Sequence, residues 1–516
     1  MKILNKLTWL KYHKWAGVVF ALFLMVFCFS GVILNHRNFF ASYDVSRSFL
    51  PSSYHVHNFN QGIVKGTLRT DSTHILAYGY NGVWLTDNGA RHWTECNAGF
   101  PSGVDRRSIR NMVMTKDSLL WCATNYDAYW YDGNKWQCLN LPKGNERLMD
   151  MAVWGDNMLV VALSRSAVYI IKHVNNGNAQ PHICVKRKEL AAAKDFKNKD
   201  TLFRTVWKLH SGELFGQAGK LVVDAIALGL FFLCLTGIIL FLLPYNIRRN
   251  KRKGCKEACK MWSKHLVWNN RWHVRIGYST IFLTMWLTIT GTCLRPPLMV
   301  PFVLTKSAPV NYTGNVWNDR LRSIRWDHTK GEWLLHTADG FMRVDATFAS
   351  QPRMLDSKKT PTVSPMGANV FMQHADGKWL IGSFAGMMVW NPATNSVTDY
   401  FTGKTPEKHF GGVLSNTLVC GYSEDFARPV VFDYSKGALT ECGWHEMPEK
   451  LAATPMSLWN LALELHVGRC YSPLLGPLSD LFVFIWGTMS TLVLLSGYII
   501  YRRRRKKRCE RKKHHD

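Results

Sequence analysis

The chain has 516 residues, too many for one ordinary domain, and its 64 Lys and Arg against 36 Asp and Glu give a formal net charge of +28. A basic excess of this size suits either a nucleic-acid surface or the cytoplasmic face of a membrane protein. Its distribution decides for the membrane: 23 of the 64 basic residues sit in three short segments that flank long apolar runs, so no nucleic-acid partner is needed to explain the charge.

In chain order, residues 1–37 hold Lys2, Lys6, Lys11 and Lys14 and then an apolar run over 15–34. The run is longer than a signal-peptide core and meets no small-residue cleavage site, so a retained helix is expected. Residues 38–209 carry strand patterns at 74–86, 118–131 and 157–172, with turn signals at Asn88-Gly89 and Asp132-Gly133. Residues 210–244 hold a second apolar run (221–243), with Asp224 near its start.

The connector 245–274 has nine Lys/Arg and one acid, Glu257. A third run fills 276–294, within the expected helix 275–295, and residues 296–465 form a second β-rich stretch with units at 332–344, 378–390 and 416–432. Residues 466–501 end in a fourth run (481–501) that follows Asp480, and the tail 502–516 carries ten Lys/Arg. Each run has about the 20 residues that a hydrocarbon core of ~30 Å requires. The three basic segments belong on the cytoplasmic side. The expected protein is therefore a multi-pass inner-membrane protein with cytoplasmic termini, four transmembrane helices and two large periplasmic β-rich domains, with the lipid bilayer as its first partner. The thirteen Cys give no readable disulfide framework.

The two halves repeat. Tyr12-His13 aligns with Trp272-His273, Gly17 with Gly277 and Ser30-Gly31 with Thr290-Gly291, without a gap. Leu209-His210-x-Gly212 aligns with Leu465-His466-x-Gly468, and each is followed 14 residues after the His by an acid, Asp224 or Asp480. The β units recur at ~40 residues, which suits propeller blades. Two partial propellers, one propeller closed by both halves, and two β-sandwiches all remain open.

The duplicated histidines fall two to each membrane face, His13 with His273 inside and His210 with His466 outside. A histidine at a helix end is ordinarily an interfacial side chain. Two imidazoles from different helices on each face, however, are what a b-type haem needs, and two haems are expected. The neighbouring glycines leave room for a flat ring or simply for close helix packing. Asp224 and Asp480 would share the face of their His on a continuous helix, as groups that orient a ligand, serve a proton path or pair with an Arg. No P-loop, G-x-G-x-x-G, G-x-S-x-G or H-E-x-x-H motif is present.

The opening YHKWAGVVFALFLMVFCFSGVILNHR and the stretch from Leu209 to Gly237 resemble the PepSY-associated transmembrane family. Leu465–Gly468 does so more loosely. The resemblance covers the helices and their flanks, about a quarter of the chain, and its motif reaches His13, His36, His210, His273 and His466. It implies a haem-containing inner-membrane oxidoreductase that reduces a periplasmic ferric siderophore or other iron chelate. Quinol or a cytoplasmic flavin/NAD(P)H system would be the electron donor. It also brings in His36 as a competitor of His210 and His466 for an outer haem. One departure stands out: β-rich repeats replace a PepSY-like outer domain, so the resemblance does not carry the substrate. The alternatives are a non-redox membrane-anchored sensor and a haem or siderophore carrier.

Overall fold

The computed structural model describes residues 6–155, 159–174, 182–194, 196–310, 313–406, 415–440 and 444–513. Lys2, Asn157 and the tail beyond Lys513 lie outside these. The chain divides into two compact units, each assembled from both halves of the sequence.

The helical unit comprises Met1–Phe40, Asn198–Asn311 and Leu458–Asp516. Its longer helices are α1 (Lys6–Asn35), α2 (Leu202–Ser211), α3 (Gly216–Arg252), α4 (Lys256–Ser279), α5 (Ile281–Thr292), α6 (Leu458–His466) and α7 (Ser479–Lys513). Among the described residues three spans are long and apolar enough to cross a membrane: Thr8–Asn35, Glu213–Arg252 and Arg469–Arg511. The predicted third run is instead split. Its first residues end α4, and the 12-residue α5 carries the rest beyond Thr280. The break is shallow, because the Thr280 amide still donates to Ile276 and the Thr284 amide to Thr280. Helix α1 packs beside α3 and α7, and α7 beside α5, around a core of Cys28, Val223, Ile226, Leu230 and Leu287. The basic connector is not a loop: α3 runs on to Arg252, the chain turns through Gly254, and α4 packs back along α3.

Two further details correct the sequence reading. The 14 residues from His210 to Asp224 do not run along one helix. Helix α2 ends at Gly212, whose φ of +77° is left-handed, and α3 begins only at Gly216. Gly468 repeats that conformation after α6, with φ +83°. Glycine is needed at such a stop because a Cβ makes left-handed backbone costly.

The second unit, Ala41–Lys197 with Tyr312–Ser457, contains six consecutive antiparallel meanders, three from each half. Among the described residues five have four strands and the last has three. Their first strands are Gly66–Arg69, Ile109–Met114, Leu148–Val153, Leu321–Asp327, Val370–Gln373 and Val419–Ser423. Each first strand lies beside those of the sheets before and after it, and the sixth lies beside the first. The closing contact is polar: the Thr67 hydroxyl is 2.6 Å from Ser423 Oγ and 2.5 Å from Asp425 Oδ2.

An apolar cluster fills every gap between consecutive sheets, including the closing one. Strand alternation accounts for this. Leu334 and Leu335 are neighbours in sequence, yet Leu335 packs toward the third sheet and Leu334 toward the fifth. Such sheets are buried on both faces, and tryptophans such as Trp121, Trp136, Trp317, Trp333 and Trp379 fill the wide gaps.

Short two-stranded ladders tie the segments where the chain leaves and re-enters each unit. Asp44–Val45 pairs with Met456–Ser457, and Asp200–Thr201 with Lys306–Ser307. The described cysteines, Cys96, Cys122, Cys138 and Cys184 among them, are free thiols.

Candidate cofactor site

The helical unit brings the four duplicated histidines together in two pairs. The rings of His13 and His273 have centroids 6.2 Å apart, and those of His210 and His466 are also 6.2 Å apart. All four are half-buried, and each pair draws its members from two different helices: α1 with α4, and α2 with α6.

Each ring is held in the same way. His13 Nδ1 lies 2.9 Å from Ser496 Oγ and 3.1 Å from the Val493 carbonyl. His466 Nδ1 lies 3.0 Å from Ser30 Oγ and 3.1 Å from the Phe27 carbonyl. His210 Nδ1 is 3.1 Å from Thr290 Oγ1, with the Leu287 backbone as its second partner. His273 Nδ1 is 2.8 Å from Thr236 Oγ1, with the Leu233 backbone alongside. The backbone partner is always the residue three before the hydroxyl in the same helix.

This arrangement fixes the tautomer. The hydroxyl protons of Ser30, Thr236, Thr290 and Ser496 are already donated to helix carbonyls, those of Val26, Phe232, Trp286 and Val493, at 2.7–2.8 Å. Each imidazole must therefore donate from Nδ1, which leaves the lone pair on Nε2. A histidine whose Nδ1–H is pinned to a carbonyl and whose Nε2 is left as an acceptor is arranged as metal-binding histidines are.

The residue after each hydroxyl is a glycine, and the ring lies against it. A Cβ built on Gly31, Gly237, Gly291 or Gly497 meets the Cε1 of His466, His273, His210 or His13 at 3.4, 3.6, 2.9 or 3.0 Å. Each Ser/Thr-Gly dipeptide is thus a cradle for a histidine from another helix. The sequence reading found two of them, Ser30-Gly31 and Thr290-Gly291. It missed the pairing of Thr236-Gly237 with Ser496-Gly497. Gly17 and Gly277 play a different part, lying against Val493 and Leu233 as packing positions.

His36 stands apart from both pairs. Its Nε2 lies 2.6 Å from Asp224 Oδ2, and the Asn35 amide donates to Oδ1 at 3.0 Å. Asp224 thus pairs with a histidine, where the sequence left an arginine open. Asp480 does pair with an arginine, Arg295, but at 3.6 Å and with 71% of its side chain exposed, against 11% for Asp224. The two acids match in spacing and differ in surroundings.

The family model of the PepSY-associated TM region matches residues 4–244, the stretch that holds His13, Ser30-Gly31, His36, His210, Asp224 and Thr236-Gly237. Over residues 4–244 the chain is similar to that family. The match covers one of the two repeats; His273 and His466 belong to the other. No curated protein matches the chain. Solved structures with similarity include the extracellular domain of a hybrid two-component system from B. thetaiotaomicron, with TM-score 0.34, 9% identity, and coverage of 73% of this chain and 32% of that one. The extracellular domain of a one-component system from B. thetaiotaomicron has TM-score 0.34, 11% identity and coverage of 79% and 44%. That of a second hybrid two-component system from the same organism has TM-score 0.32, 9% identity and coverage of 74% and 39%. This chain spans less than half the length of each.

Proposed function

We propose that the protein is an inner-membrane electron carrier holding two b-type haems, one between His13 and His273 and one between His210 and His466. The observation that carries this reading is the pair of 6.2 Å ring separations, with every Nδ1 tied to a hydroxyl on another helix. A metal–imidazole bond of about 2.0 Å and a nitrogen-to-centroid distance of about 1.1 Å would put the centroids of two imidazoles sharing one metal about 6.2 Å apart. The haem iron would supply one-electron chemistry. The chain's own contribution is to fix ring position and tautomer, and to keep the pairs within an apolar bundle.

The positive-inside rule places His13 and His273 toward the cytoplasm and the six-sheet unit in the periplasm. The closed cycle of sheets supports reading that unit as one six-bladed propeller completed by both halves. Electrons from quinol or a cytoplasmic flavin donor would leave on the periplasmic side to a ferric siderophore or similar iron chelate, which makes the protein a transmembrane oxidoreductase.

The optical spectrum of the purified protein, expressed with ample haem supply, tests the reading. A Soret band and two haems per chain are expected, and His210→Ala is expected to lose one of them. A colourless preparation would refute the proposal.

A further inference from the structure

We infer that Asn269 is a positioning residue for the His13–His273 pair: together with His273 it grips both polar atoms of Thr236, and so fixes where the His273 ring points. The inference rests on the two-haem reading.

Asn269 stands out on its helix. Among the described residues of α4 it alone is buried, at 2% exposure. Asparagine is a poor helix former, and burying its amide without a partner costs free energy. The partner is the Thr236 carbonyl of α3, to which Asn269 Nδ2 donates at 2.9 Å. Only the amide nitrogen can donate to a carbonyl oxygen, so chemistry fixes the orientation of the group.

The same residue of α3 holds the histidine. His273 Nδ1 is 2.8 Å from Thr236 Oγ1, and its Cε1 lies over Gly237. Asn269 precedes His273 by four residues, so both side chains leave one face of α4 on successive turns. One helix thus takes hold of a single residue of its neighbour at two points, the carbonyl and the hydroxyl.

Two points do what one cannot. With the histidine bond alone, α4 is free to turn about the contact between Nδ1 and Oγ1. The neighbouring Val267, Trp268 and Trp272 are exposed and offer little resistance. A rotation of about 10° moves a ring nitrogen ~6 Å from the helix axis by roughly 1 Å, beyond the ~0.5 Å that a ligand constellation tolerates. The bond from Asn269 opposes that rotation.

The other three cradles are built without it. Among the described residues no side chain donates to the carbonyl of Ser30, Thr290 or Ser496. In the first repeat the position of Asn269 is taken by Trp9, whose Nε1 is buried with no hydrogen-bond partner among the described residues. Within its pair, His273 is the doubly fixed ring.

Electron paramagnetic resonance of the oxidised, full-length haem-loaded protein tests the inference, because the g anisotropy of a low-spin bis-imidazole haem follows the angle between the ring planes. Those angles are 70° for His13 with His273 and 49° for His210 with His466, so the wild type is expected to give two distinct signals. The signal that survives in His210→Ala belongs to the His13–His273 pair. Asn269→Leu, close in size but without the donor, is expected to shift or broaden that signal alone, with haem content unchanged. Asn269→Ala removes the donor without added bulk and is expected to do the same, while Asn269→Gln keeps a donor and should lie nearer to wild type than either. Wild-type spectra in the Leu and Ala variants, equal disturbance of both signals, or a Gln variant as disturbed as the other two would overturn the inference and leave the two-haem reading intact. A protein that binds no haem would overturn both.

Discussion

Substituting alanine for each cradle glycine in turn gives a graded test of the histidine sites. In Gly291→Ala the new Cβ would lie 2.9 Å from His210 Cε1. Carbon atoms rest at about 3.5–4.0 Å, so the ring must retreat by roughly 0.6–1 Å. It cannot do so freely, because Nδ1 is anchored to Thr290 and to the Leu287 backbone. Ligand constellations tolerate only about 0.5 Å, and overpacking of this kind costs about 1–3 kcal/mol.

In Gly237→Ala the Cβ would sit at 3.6 Å from His273 Cε1, an ordinary contact. The gain in helix propensity, about 1 kcal/mol, then has nothing to oppose it. The identical substitution should thus loosen haem at one pair and leave it intact, with a slightly more stable helix, at the other. Gly497→Ala (3.0 Å) and Gly31→Ala (3.4 Å) should fall between. The assay is haem transfer to excess apomyoglobin. The expected order of release is Gly291→Ala, Gly497→Ala, Gly31→Ala, Gly237→Ala, with the first faster than wild type by roughly tenfold or more, since 1.4 kcal/mol is about a factor of ten. If Gly237→Ala released haem as fast as Gly291→Ala, the cradle argument would fail.

Two further expectations concern the sheet unit. Trp317 is fully buried between the third and fourth sheets, where the two halves meet, and its Nε1 donates to the Ala191 carbonyl at 2.8 Å. Trp317→Ala should cost about 3–5 kcal/mol, and calorimetry should show the transition of the whole unit moving down; an unmoved transition would mean that the halves do not fold together. The second concerns acid. Burial, with help from nearby Arg322, pushes the pKa of His336 down to about 3. The unfolded chain binds that proton near pH 6.5, so the stability His336 contributes is complete above that pH. It is lost as the pH falls toward 3, at about 1 kcal/mol per unit. His336→Leu should therefore lessen the acid sensitivity of unfolding between pH 6 and 4, and equal sensitivity in mutant and wild type would refute the assignment.

Much of the helical site was legible because it is written twice. The spacing from His13 to Ser30-Gly31 recurs without change from His273 to Thr290-Gly291, since both lie along nearly continuous helix. From His210 to Thr236 the distance is 26 residues, and from His466 to Ser496 it is 30. The second copy carries an extra break, Gly476–Leu478, before α7 begins. That break hid the equivalence of the last two cradles and made Asp480 look like the mate of Asp224. His36 was read as a possible ligand because the motif ends on it, and only side-chain geometry reveals its carboxylate partner. Three β units in each half were recognisable from their period, while their total and closure were left open. Which sheet follows the third in space was not recognisable, because the answer lies beyond two helices, at Leu321.

The way the two halves share both units has a historical consequence. A chain of half this length, with one copy of each helix, each cradle and three sheets, would reach the same assembly by pairing with itself about a twofold axis. In such an ancestor every substitution would appear on both sides at once. With both copies in one chain, joined through the helical turn at Gly254, each side can differ from the other. His36 facing Asp224, with Arg295 and Pro296 at the matching positions of the other repeat, is a distinction that two identical copies cannot encode.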